Sequence, residues 1–385
     1  DGSGNPVEAT GDEQVELFRS VKAGNGRVEI ALTDGGTLSA AQVNDLSVAG
    51  TANCYVVSAP GTYVFNARVR GNGAGEGVGF EPAIEMADGM TADGRWTDSE
   101  GLVSGVALDT TSGDIFLTVG EGRGNALVAL MQDGKVVWSW HVWVTDAPQT
   151  MTYGNGTVFM DRNLGAAGTT AGGTDAYGMY YQWGRKDPFY GGEKTETSAN
   201  AFLEAKNGTV VNPAYPALDW AFSKSATTTD GAAANPMTFY NDKVGTGYNW
   251  LASPNATLWG EAKTLNDPCP PGYRVPGTGA WEDLISGRQY IDGVSVWDGT
   301  NYGMTYTHGG QTAWYPAQGY RNYSSGAIVG LRSSTGGSGA YWSAETSSVK
   351  SYYLFFRSKL SSSGSINNEL DMNRSYGYTV RCCKE

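Results

Sequence analysis

The fold is decided by the stretch from Trp314 to Cys383, which carries four aromatic and β-branched runs: Trp314-Tyr315-Pro316-Ala317-Gln318-Gly319-Tyr320-Arg321, Tyr341-Trp342-Ser343, Tyr352-Tyr353-Leu354-Phe355-Phe356 and Gly377-Tyr378-Thr379-Val380-Arg381-Cys382-Cys383. Glycine, serine and asparagine separate the runs. Short runs of this composition, bounded by turn residues, are typical of β-strands. We therefore predict that the C-terminal part of the chain forms a sheet of short strands.

The composition of the whole chain indicates the same class of fold. The 385 residues include 55 glycines, 12% aromatic residues and only 17% charged residues. This balance is typical of a loop-rich or all-β exported protein, and the length predicts two or three domains. The net charge of −13 argues against binding to nucleic acid or anionic lipid, since both need clustered lysine and arginine. No apolar run is long enough for a membrane span, so any membrane attachment is expected through a lipid anchor outside these residues.

The clearest local unit in the N-terminal half is a β-hairpin. Two apolar runs, 127–131 and 136–144, are joined across Asp133-Gly134, which is a strong signal for a two-residue hairpin turn. Because side chains alternate along a strand, one face of the second run is predicted to carry Val136, Trp138, Trp140, Val142 and Val144. The other face is predicted to carry Val137, Ser139, His141 and Trp143.

A change of composition near residues 146–152 marks a predicted domain boundary. Residues 1–150 hold 20 acidic and 8 basic residues, whereas residues 151–385 hold 19 and 18, and 20 of the 22 tyrosines follow the boundary. We predict a mainly β chain with three parts: a flexible leader over 1–19, an Ig-like antiparallel β-sandwich over 20–147, and an α+β second domain with long loops over 151–385.

Two short helices are predicted. One runs from Asp12 to Val21, with acidic residues at its start. The other runs from Ala280 to Ile285, where Thr278 is placed to cap the first turn and the residues on one face are Trp281, Leu284 and Ile285. The segment 190–266 shows little periodicity and is predicted to be rich in loops.

Six sequence blocks in the second half carry a resemblance to a known family. They are Met160-Asp161-Arg162-Asn163-Leu164-Gly165-Ala166, Tyr181-Gln182-Trp183-Gly184-Arg185, Cys269-Pro270-Pro271-Gly272-Tyr273-Arg274-Val275-Pro276, Tyr315-Pro316-Ala317-Gln318-Gly319-Tyr320-Arg321, Tyr341-Trp342-Ser343 and Val380-Arg381-Cys382. In sequence and in order, these blocks resemble the Fibrobacter succinogenes major paralogous domain over residues 151–385. The N-terminal half resembles, less closely, the β-sandwich modules found beside such domains.

The resemblance implies a C-type-lectin-like fold for residues 151–385. The family is abundant in surface lipoproteins and fimbrillin-associated proteins of Bacteroidetes. The resemblance therefore also implies an exported protein at the bacterial outer-membrane surface or in a fimbria. Its partners would be host or environmental glycans or proteins, together with fimbrial subunits.

The four cysteines, Cys54, Cys269, Cys382 and Cys383, allow three full pairings. Alternation along the last strand places Cys382 on the face of Tyr378 and Val380. The opposite, more polar face carries Thr379, Arg381 and Cys383. Cys382 is therefore predicted to point inward and to pair with Cys269 of the same domain. Cys54 is predicted to be a buried free thiol. Four reduced thiols remain the alternative, and the pairing of Cys54 and Cys383 stays open.

No pattern in the sequence predicts a catalytic site. His141 and His308 are the only histidines, and neither accompanies an HExxH or Gly-x-Ser-x-Gly motif. The glycine-rich run at 71–79 does not fit GxGxxG and is predicted to be a loop. Paired carboxylates such as Glu282-Asp283 keep a glycoside hydrolase open as an alternative. We predict a non-enzymatic protein that uses no cofactor and no metal, although the question of calcium stays open.

A binding site without calcium would use exposed rings, since the second half lacks the Glu-Pro-Asn and Gln-Pro-Asp motifs of calcium-dependent lectins. Rings lie flat on sugar faces, and amides and carboxylates add directed hydrogen bonds. The loop candidates for ligand contact are Trp297, Asp298, Asn301, Tyr302, Tyr306, Asn322 and Tyr323, and the alternative for each ring is a place in the core. Three charged residues are instead predicted to pair with each other and brace loops: Asp161, Arg162 and Arg185.

These observations lead to one expected function and two alternatives. We expect a non-enzymatic bacterial cell-surface binding or adhesion protein, including a fimbria-associated tip component. The first alternative is a structural fimbrial subunit that assembles by strand exchange, which needs an open sheet edge in the N-terminal sandwich. The second is a carbohydrate-active hydrolase, which needs two acids facing each other across a pocket.

Overall fold

The computed structural model describes residues 31–33, 37–39, 43–73, 82–97, 100–189, 221–241, 248–331, 337–358 and 365–385. Of these residues, 47% lie in strands and 7% in helices, which confirms the mainly β class. The predicted leader over 1–19, the helix predicted from Asp12 to Val21 and most of the glycine-rich run at 71–79 lie outside the described residues. In the part of the chain that is described, no helix is long and apolar enough to cross a bilayer.

Within the described ranges, the N-terminal half contributes ten strands: β1 (Ala31–Thr33), β2 (Thr37–Ser39), β3 (Val43–Asp45), β4 (Cys54–Val57), β5 (Gly61–Asn66), β6 (Met90–Thr97), β7 (Val103–Asp109), β8 (Asp114–Val119), β9 (Gly124–Gln132) and β10 (Lys135–Val144). A 3-10 helix over Leu46–Ala49 follows β3. Strands β1 and β2 pair with each other. The other eight form two four-stranded sheets, ordered β3-β5-β8-β7 and β4-β10-β9-β6.

These two four-stranded sheets pack together as a β-sandwich. Phe65 of the first sheet contacts Trp140 of the second, with ring centroids 5.1 Å apart, and both belong to one buried cluster. The predicted sandwich is therefore confirmed in outline, and its Ig-like topology stays a prediction. The purely antiparallel form is wrong, since β3 pairs with β5 and β4 with β10 in parallel. Strand β4 lies between β3 and β5 in the sequence but belongs to the other sheet. The chain therefore leaves the first sheet after β3 and enters it again as β5 in the same direction.

The predicted hairpin between β9 and β10 is present. Its turn residues Asp133 and Gly134 have φ values of 49° and 74°, as a two-residue turn of type I′ requires. A β-bulge between Val136 and Trp138 moves Val136 into a separate buried cluster, so its predicted face is wrong. The other four residues assigned to that face lie in the sandwich core as predicted: Trp138, Trp140, Val142 and Val144.

The second half contributes eighteen strands among the described residues: β11 (Thr150–Thr152), β12 (Val158–Met160), β13 (Tyr180–Gln182), β14 (Ala221–Ser223), β15 (Thr238–Tyr240), β16 (Tyr273–Arg274), β17 (Ile285–Ser286), β18 (Gln289–Tyr290), β19 (Ser295–Asp298), β20 (Gly303–His308), β21 (Gln311–Pro316), β22 (Gln318–Arg321), β23 (Ile328–Leu331), β24 (Ser338–Ser347), β25 (Lys350–Arg357), β26 (Ile366–Asn373), β27 (Gly377–Thr379) and β28 (Cys383–Lys384). One α-helix, α1 (Thr229–Ala234), precedes β15, and 3-10 helices cover Thr174–Ala176 and Thr278–Leu284. The described part of this half is mainly β, with less helix than the predicted α+β class implies.

The predicted C-terminal sheet is the largest sheet in the described residues. Its order is β13-β27-β22-β24-β25-β26, and β23 pairs with β22. The first predicted run is divided between two strands: its start belongs to β21, which pairs with β20 in a three-stranded sheet with β19, and its end forms β22 of the large sheet. Each sheet among the described residues takes its strands from one half of the chain.

The helix predicted at Ala280–Ile285 is a 3-10 helix over Thr278–Leu284. Trp281 and Leu284 are fully buried, as predicted. The predicted cap is wrong, because Thr278 is the first helical residue rather than the residue before it. Its N–H and hydroxyl donate to the carboxylate of Glu345 at 3.1 and 2.7 Å, so the helix start is held by β24.

The predicted disulfide joins Cys269 to Cys382 across 113 residues, with Cα atoms 6.0 Å apart. Cys54 is a buried free thiol as predicted, and Cys383 is also free and buried. The face of Cys383, expected to be more polar, is buried as well. Arg381 on that face donates to Asn163 Oδ1 at 2.8 Å and to the carbonyl of Trp314 at 2.5 Å, which explains how a charged side chain is accommodated there.

The outward face of β10 forms a buried junction with the second half. Trp143 Nε1 donates to the carbonyl of Ala166 at 2.9 Å. His141 Nε2 lies 2.9 Å from Asn125 Oδ1, and the amide nitrogen of Asn125 donates to the carbonyl of Gly165. One hydrophobic cluster contains side chains from both halves. The polar residues of this face are therefore interior rather than edge positions.

A buried ion pair lies at the same junction. Lys186 Nζ donates to Asp187 Oδ1 at 2.5 Å and to the hydroxyl oxygen of Ser139 at 2.6 Å, and it lies 4.5 Å from the ring of Trp138. The Ser139 hydroxyl donates to the same carboxylate oxygen at 2.7 Å. Burial lowers the pKa of Lys186, while Asp187 acts in the opposite direction. This cluster joins β10 to the loop after β13.

Candidate functional site

Four of the predicted ligand residues lie at the tip of the β19–β20 hairpin rather than in long loops: Trp297, Asp298, Asn301 and Tyr302. The Asp298 carboxylate accepts the N–H groups of Thr300 and Asn301 at 2.8 and 3.0 Å. Burial opposes ionisation, but these hydrogen bonds hold the pKa of Asp298 below its ordinary value. The ring of Trp297 packs 6.5 Å from that of Phe356. These side chains mainly fix the turn and cover the core.

Tyr306 lies in the core. Its side chain is fully buried, its ring is 4.3 Å from that of Tyr153, and its hydroxyl donates to the carboxylate of Asp283. The N–H of Gly154 donates to the same carboxylate at 2.6 Å. The burial of Tyr306 favours the alternative of a place in the core over ligand contact, because β20 turns this ring inward, where it anchors the 153–157 turn.

The last two predicted ligand residues, Asn322 and Tyr323, lie in the turn between β22 and β23. Asn322 Oδ1 accepts the N–H and the hydroxyl of Ser324 at 2.8 and 2.7 Å, so its carbonyl oxygen is used by the turn. Tyr323 is half-buried, and its ring contacts those of Tyr248 at 4.8 Å and Tyr376 at 4.9 Å. Tyr323 therefore joins a group of half-buried rings at the surface.

We name this group the tyrosine patch and define it as Tyr248, Tyr320, Tyr323 and Tyr376. All four side chains are half-buried. The ring of Tyr320 lies 5.8 Å from that of Tyr376, so contacts continue from Tyr248 to Tyr320. Tyrosine offers a large rigid face at a low cost in side-chain entropy, and its hydroxyl adds a polar end. The patch is therefore a surface on which a flat ligand could stack.

Buried rings support the tyrosine patch from below. Tyr378 lies 5.4 Å from Tyr320 and 4.3 Å from Trp342. The indole N–H of Trp342 donates to the carbonyl of Tyr181 at 2.8 Å. These residues belong to β13, β24 and β27 of the large sheet, so the patch packs on side chains of a hydrogen-bonded sheet.

The phenols of the patch are suited to donate hydrogen bonds. Burial, together with the neighbouring Tyr320 and Tyr323, raises the pKa of Tyr376 to about 12. The hydroxyl is therefore neutral over the physiological range. Tyr248 has a φ of 65°, a left-handed conformation that costs a residue with a Cβ about 1 kcal/mol. Its carbonyl accepts the N–H of Ser375 at 3.3 Å, which holds the ring position against that cost.

Asp161 and Arg162 brace the start of the second half as predicted. The Arg162 guanidinium donates to Asp161 Oδ1 and to Asp146 Oδ1, both at 2.9 Å. One buried arginine, Arg162, therefore joins Asp161 to Asp146 of the predicted linker. The pKa of Asp146 is lowered to about 2, chiefly by the hydrogen bond from Arg162.

Arg185 has different partners from those predicted. It lies 3.9 Å from Asp187 and its charged group sits 4.9 Å from the ring of Phe189. Its guanidinium donates to the carbonyls of Thr238 at 2.6 Å and Pro236 at 3.2 Å. Arg185 therefore braces the segment after α1 and does not pair with Asp161.

The titratable groups do not converge on a metal site within the described ranges, where no set of three or more His, Cys, Asp or Glu side chains is placed to hold an ion. His141 is buried at the junction, and burial lowers its pKa to about 3. His308 is exposed at the end of β20.

The six family-like sequence blocks meet in the interior. Asn163 donates to Gln318 Oε1 at 2.8 Å and to the hydroxyl of Tyr341 at 3.2 Å. Trp183 Nε1 donates to the carbonyl of Ser343 at 2.8 Å, and the disulfide joins the third block to the last. The blocks therefore build the scaffold, while the tyrosine patch lies mostly outside them.

No protein-family model, curated protein or solved structure matches this chain. The candidate site therefore depends on the geometry of its own residues.

Sequence reasoning missed three members of the patch: Tyr248, Tyr320 and Tyr376. They come from three distant parts of the chain, and only the tertiary fold brings them together. The one signal for the patch in the sequence was the excess of tyrosine after residue 150. This excess indicates the half of the chain that carries the patch, but it does not show which tyrosines form it.

Proposed function

We propose that this protein is a non-enzymatic binding protein of the bacterial cell surface and that the tyrosine patch holds a carbohydrate. The observation that carries the proposal is the run of four half-exposed tyrosine rings in mutual contact. Sugar rings present apolar C–H faces that stack on aromatic rings, and neutral phenols donate to their hydroxyls. The supporting sheet limits the entropy lost on binding, because the rings are already ordered.

A C-type-lectin-like fold for residues 151–385 and a place on the outer membrane or in a fimbria belong to the same proposal. They rest on the resemblance of the six sequence blocks to the Fibrobacter succinogenes major paralogous domain. The inward location of those blocks is what a shared scaffold with variable surface residues would require. Under this proposal, partners are glycans or glycosylated proteins of a host or of the environment.

A glycan array tests the proposed function. The wild-type chain is expected to bind a restricted set of glycans, and a parallel array with chelator shows whether calcium takes part. Tyr323→Ala is expected to weaken binding about fivefold, since one aromatic contact is worth about 1 kcal/mol. Tyr302→Ala is the matched control, because Tyr302 is also half-buried but lies on the β19–β20 hairpin.

The array result overturns the proposal if no glycan binds. Equal weakening by Tyr323→Ala and Tyr302→Ala would also overturn it, because the loss would then not depend on the patch.

A cleft in the sandwich favours the structural fimbrial subunit as a second candidate. Strands β6 and β7 are the edges of the two facing sheets. Between them lies a cleft of about 230 Å³ lined by Trp96, Val103, Val106 and Leu127, among others. The lining also includes the polar residues Asp93, Thr97 and Ser104, and edge strands beside such a cleft can accept a strand from another chain.

Light scattering at high protein concentration tests this second candidate. A strand-exchanging subunit forms polymers, and Val106→Lys, which places a charge in the cleft, abolishes them. A wild-type chain that stays monomeric on prolonged incubation contradicts the candidate.

A further inference from the structure

A second cleft lies where the β9–β10 hairpin meets the segment after α1. Its volume is about 370 Å³, within the range of about 300–1,000 Å³ that is usual for small-molecule sites. It is remote in sequence from the tyrosine patch and shares no residue with it. The lining residues used below are Arg95, Met131, Lys135, Val136, Pro236 and Met237.

One wall of this junction cleft is fixed by a buried arginine. The guanidinium of Arg185 donates to the carbonyls of Thr238 and Pro236 at 2.6 and 3.2 Å. The Asn235 side chain donates to the carbonyl of Gly231 at 2.9 Å, which closes the end of α1. Since these hydrogen bonds join groups of the protein itself, they fix the shape of the wall and leave little ordering cost on binding.

The floor of the cleft is apolar and adaptable. Met131, Val136 and Met237 are at most 9% exposed. Methionine side chains are flexible and polarizable, so they fit irregular apolar ligands better than branched side chains do. The floor therefore suits a flexible hydrocarbon chain.

The rim of the cleft is cationic in a chain whose net charge is −13. Arg95 donates one N–H to Asp93 at 2.9 Å. Its Nε is buried without a hydrogen-bond partner among the described residues, whereas the side chain as a whole is 21% exposed and lines the cleft. Lys135 is exposed on the same rim. A carboxylate at this position would accept from Arg95 and lie near Lys135.

We propose that the junction cleft binds a small carboxylate with an apolar chain, with its head group at Arg95 and Lys135 and its chain on Met131 and Met237. The ligand class is that of medium-chain fatty acids. Charge selects the anionic head, and the apolar floor selects the chain. Because the walls come from both halves of the protein, binding also stabilises the junction.

Methyl NMR of the methionine-labelled protein tests the proposal with sodium octanoate as the probe. We expect octanoate to shift the Met131 and Met237 resonances in a saturable manner. 1-Octanol, which has the same chain without the charge, is expected to bind at least tenfold more weakly. Acetate, which has the charge without the chain, is expected to leave both methyl groups unshifted.

Variants separate the head-group contact from general apolar binding. Lys135→Gln and Arg95→Gln are each expected to weaken octanoate binding about fivefold or more, and an otherwise unchanged methyl spectrum shows that each variant is folded. Arg288→Gln, which removes an exposed charge on the second half, serves as the control and leaves affinity unchanged. The proposal is overturned if octanoate shifts neither methyl group, if octanol binds as tightly as octanoate, or if both rim variants retain wild-type affinity.

Discussion

The partners of each buried charge in this protein determine how much stability is expected to be lost when the charge or its partner is removed. Lys186 and Asp187 are each at most 3% exposed, and Ser139 bonds to both. Removing one partner of such a pair leaves a buried charge without compensation, which costs more than the pair itself contributes. The same reasoning does not apply to exposed pairs such as Arg288–Glu369, where both side chains are 68% exposed.

Asp187→Ala is expected to lower the free energy of unfolding by about 3–5 kcal/mol, measured by urea denaturation. The double change Lys186→Met with Asp187→Leu is expected to cost less than Asp187→Ala alone, because no uncompensated charge remains. Glu369→Ala is the control and is expected to cost less than about 1 kcal/mol. A loss below 1 kcal/mol for Asp187→Ala would show that the pair is not desolvated.

His141 makes stability depend on pH. Tyr181 donates to its Nδ1 and Nε2 donates to Asn125, and burial lowers its pKa to about 3. The unfolded chain takes up a proton below about pH 6.5, whereas the folded chain does not until about pH 3. The unfolded state therefore binds more protons in this window, and stability falls as pH falls.

Between pH 7 and pH 5, His141 alone is expected to remove about 2 kcal/mol from the free energy of unfolding. His141→Gln is expected to remove this part of the pH dependence, while His308→Gln, at an exposed position, keeps it. Denaturation curves at the two pH values measure the difference. Identical pH dependence in wild type and His141→Gln would contradict the buried, neutral histidine.

The sequence pattern did not predict which aromatic side chains are exposed. Tyr306 and Tyr323 occupy similar contexts of short polar and aromatic residues, yet one is core and the other is surface. The difference arises from Asp283 and Gly154, which bind the Tyr306 hydroxyl from distant parts of the chain. Local pattern carries no information about such contacts, so the alternative of a core ring could not be resolved for either residue.

At the scale of elements, the β9–β10 turn follows the rule for two-residue hairpins. Gly134 has a φ of 74°, and a Cβ there would meet no neighbouring atom within 4 Å. Gly134→Ala is therefore expected to cost about 1 kcal/mol through backbone strain alone, as measured by thermal unfolding. Gly299→Ala, at an exposed turn position with ordinary φ and no close contact, is the matched control and is expected to change stability by less than half as much. Equal effects would indicate that the left-handed φ is not the cause.

The disulfide closes the second half across a long loop. Cys269→Ala with Cys382→Ala is expected to lower the free energy of unfolding by up to about 4–5 kcal/mol, the loop-entropy value for a loop of this length. Thiol titration of the unfolded, unreduced wild-type chain is expected to find the two free cysteines, Cys54 and Cys383. Four free thiols would contradict the disulfide.

Element prediction succeeded where alternation and turn chemistry act locally and failed where topology intervenes. The hairpin turn, the inward Cys382 and the buried face of the 278–284 helix followed from sequence alone. The position of Val136 did not, because a bulge shifts the register by one residue and reverses the face. The parallel pairing of β4 with β10 also needs knowledge of which sheet each strand joins.

The junction joins the two halves of the molecule more closely than their difference in composition suggests. The change in charge and tyrosine content at residue 150 predicts two units, yet one hydrophobic cluster includes Trp96 and Trp143 from the first half with Tyr181 and Trp259 from the second. The outward face of β10 contains Ser139 and His141, which resemble solvent-facing residues in sequence. Their burial depends on a partner surface that the local pattern does not show.

Calorimetry is expected to find a single unfolding transition, because the shared cluster couples the two halves. Trp143→Ala, which removes a buried junction ring, is expected to cost about 3–5 kcal/mol and to separate the transition into two. Two transitions in the wild-type chain would contradict the coupling.

The proposed binding surface, the tyrosine patch, can be tested by aromatic ¹³C NMR during titration with the glycan that binds most strongly on the array. We expect saturable shifts at Tyr248, Tyr320, Tyr323 and Tyr376, with Tyr302 unchanged. Shifts centred on Tyr302 and Trp297 with the four patch rings unchanged would contradict it.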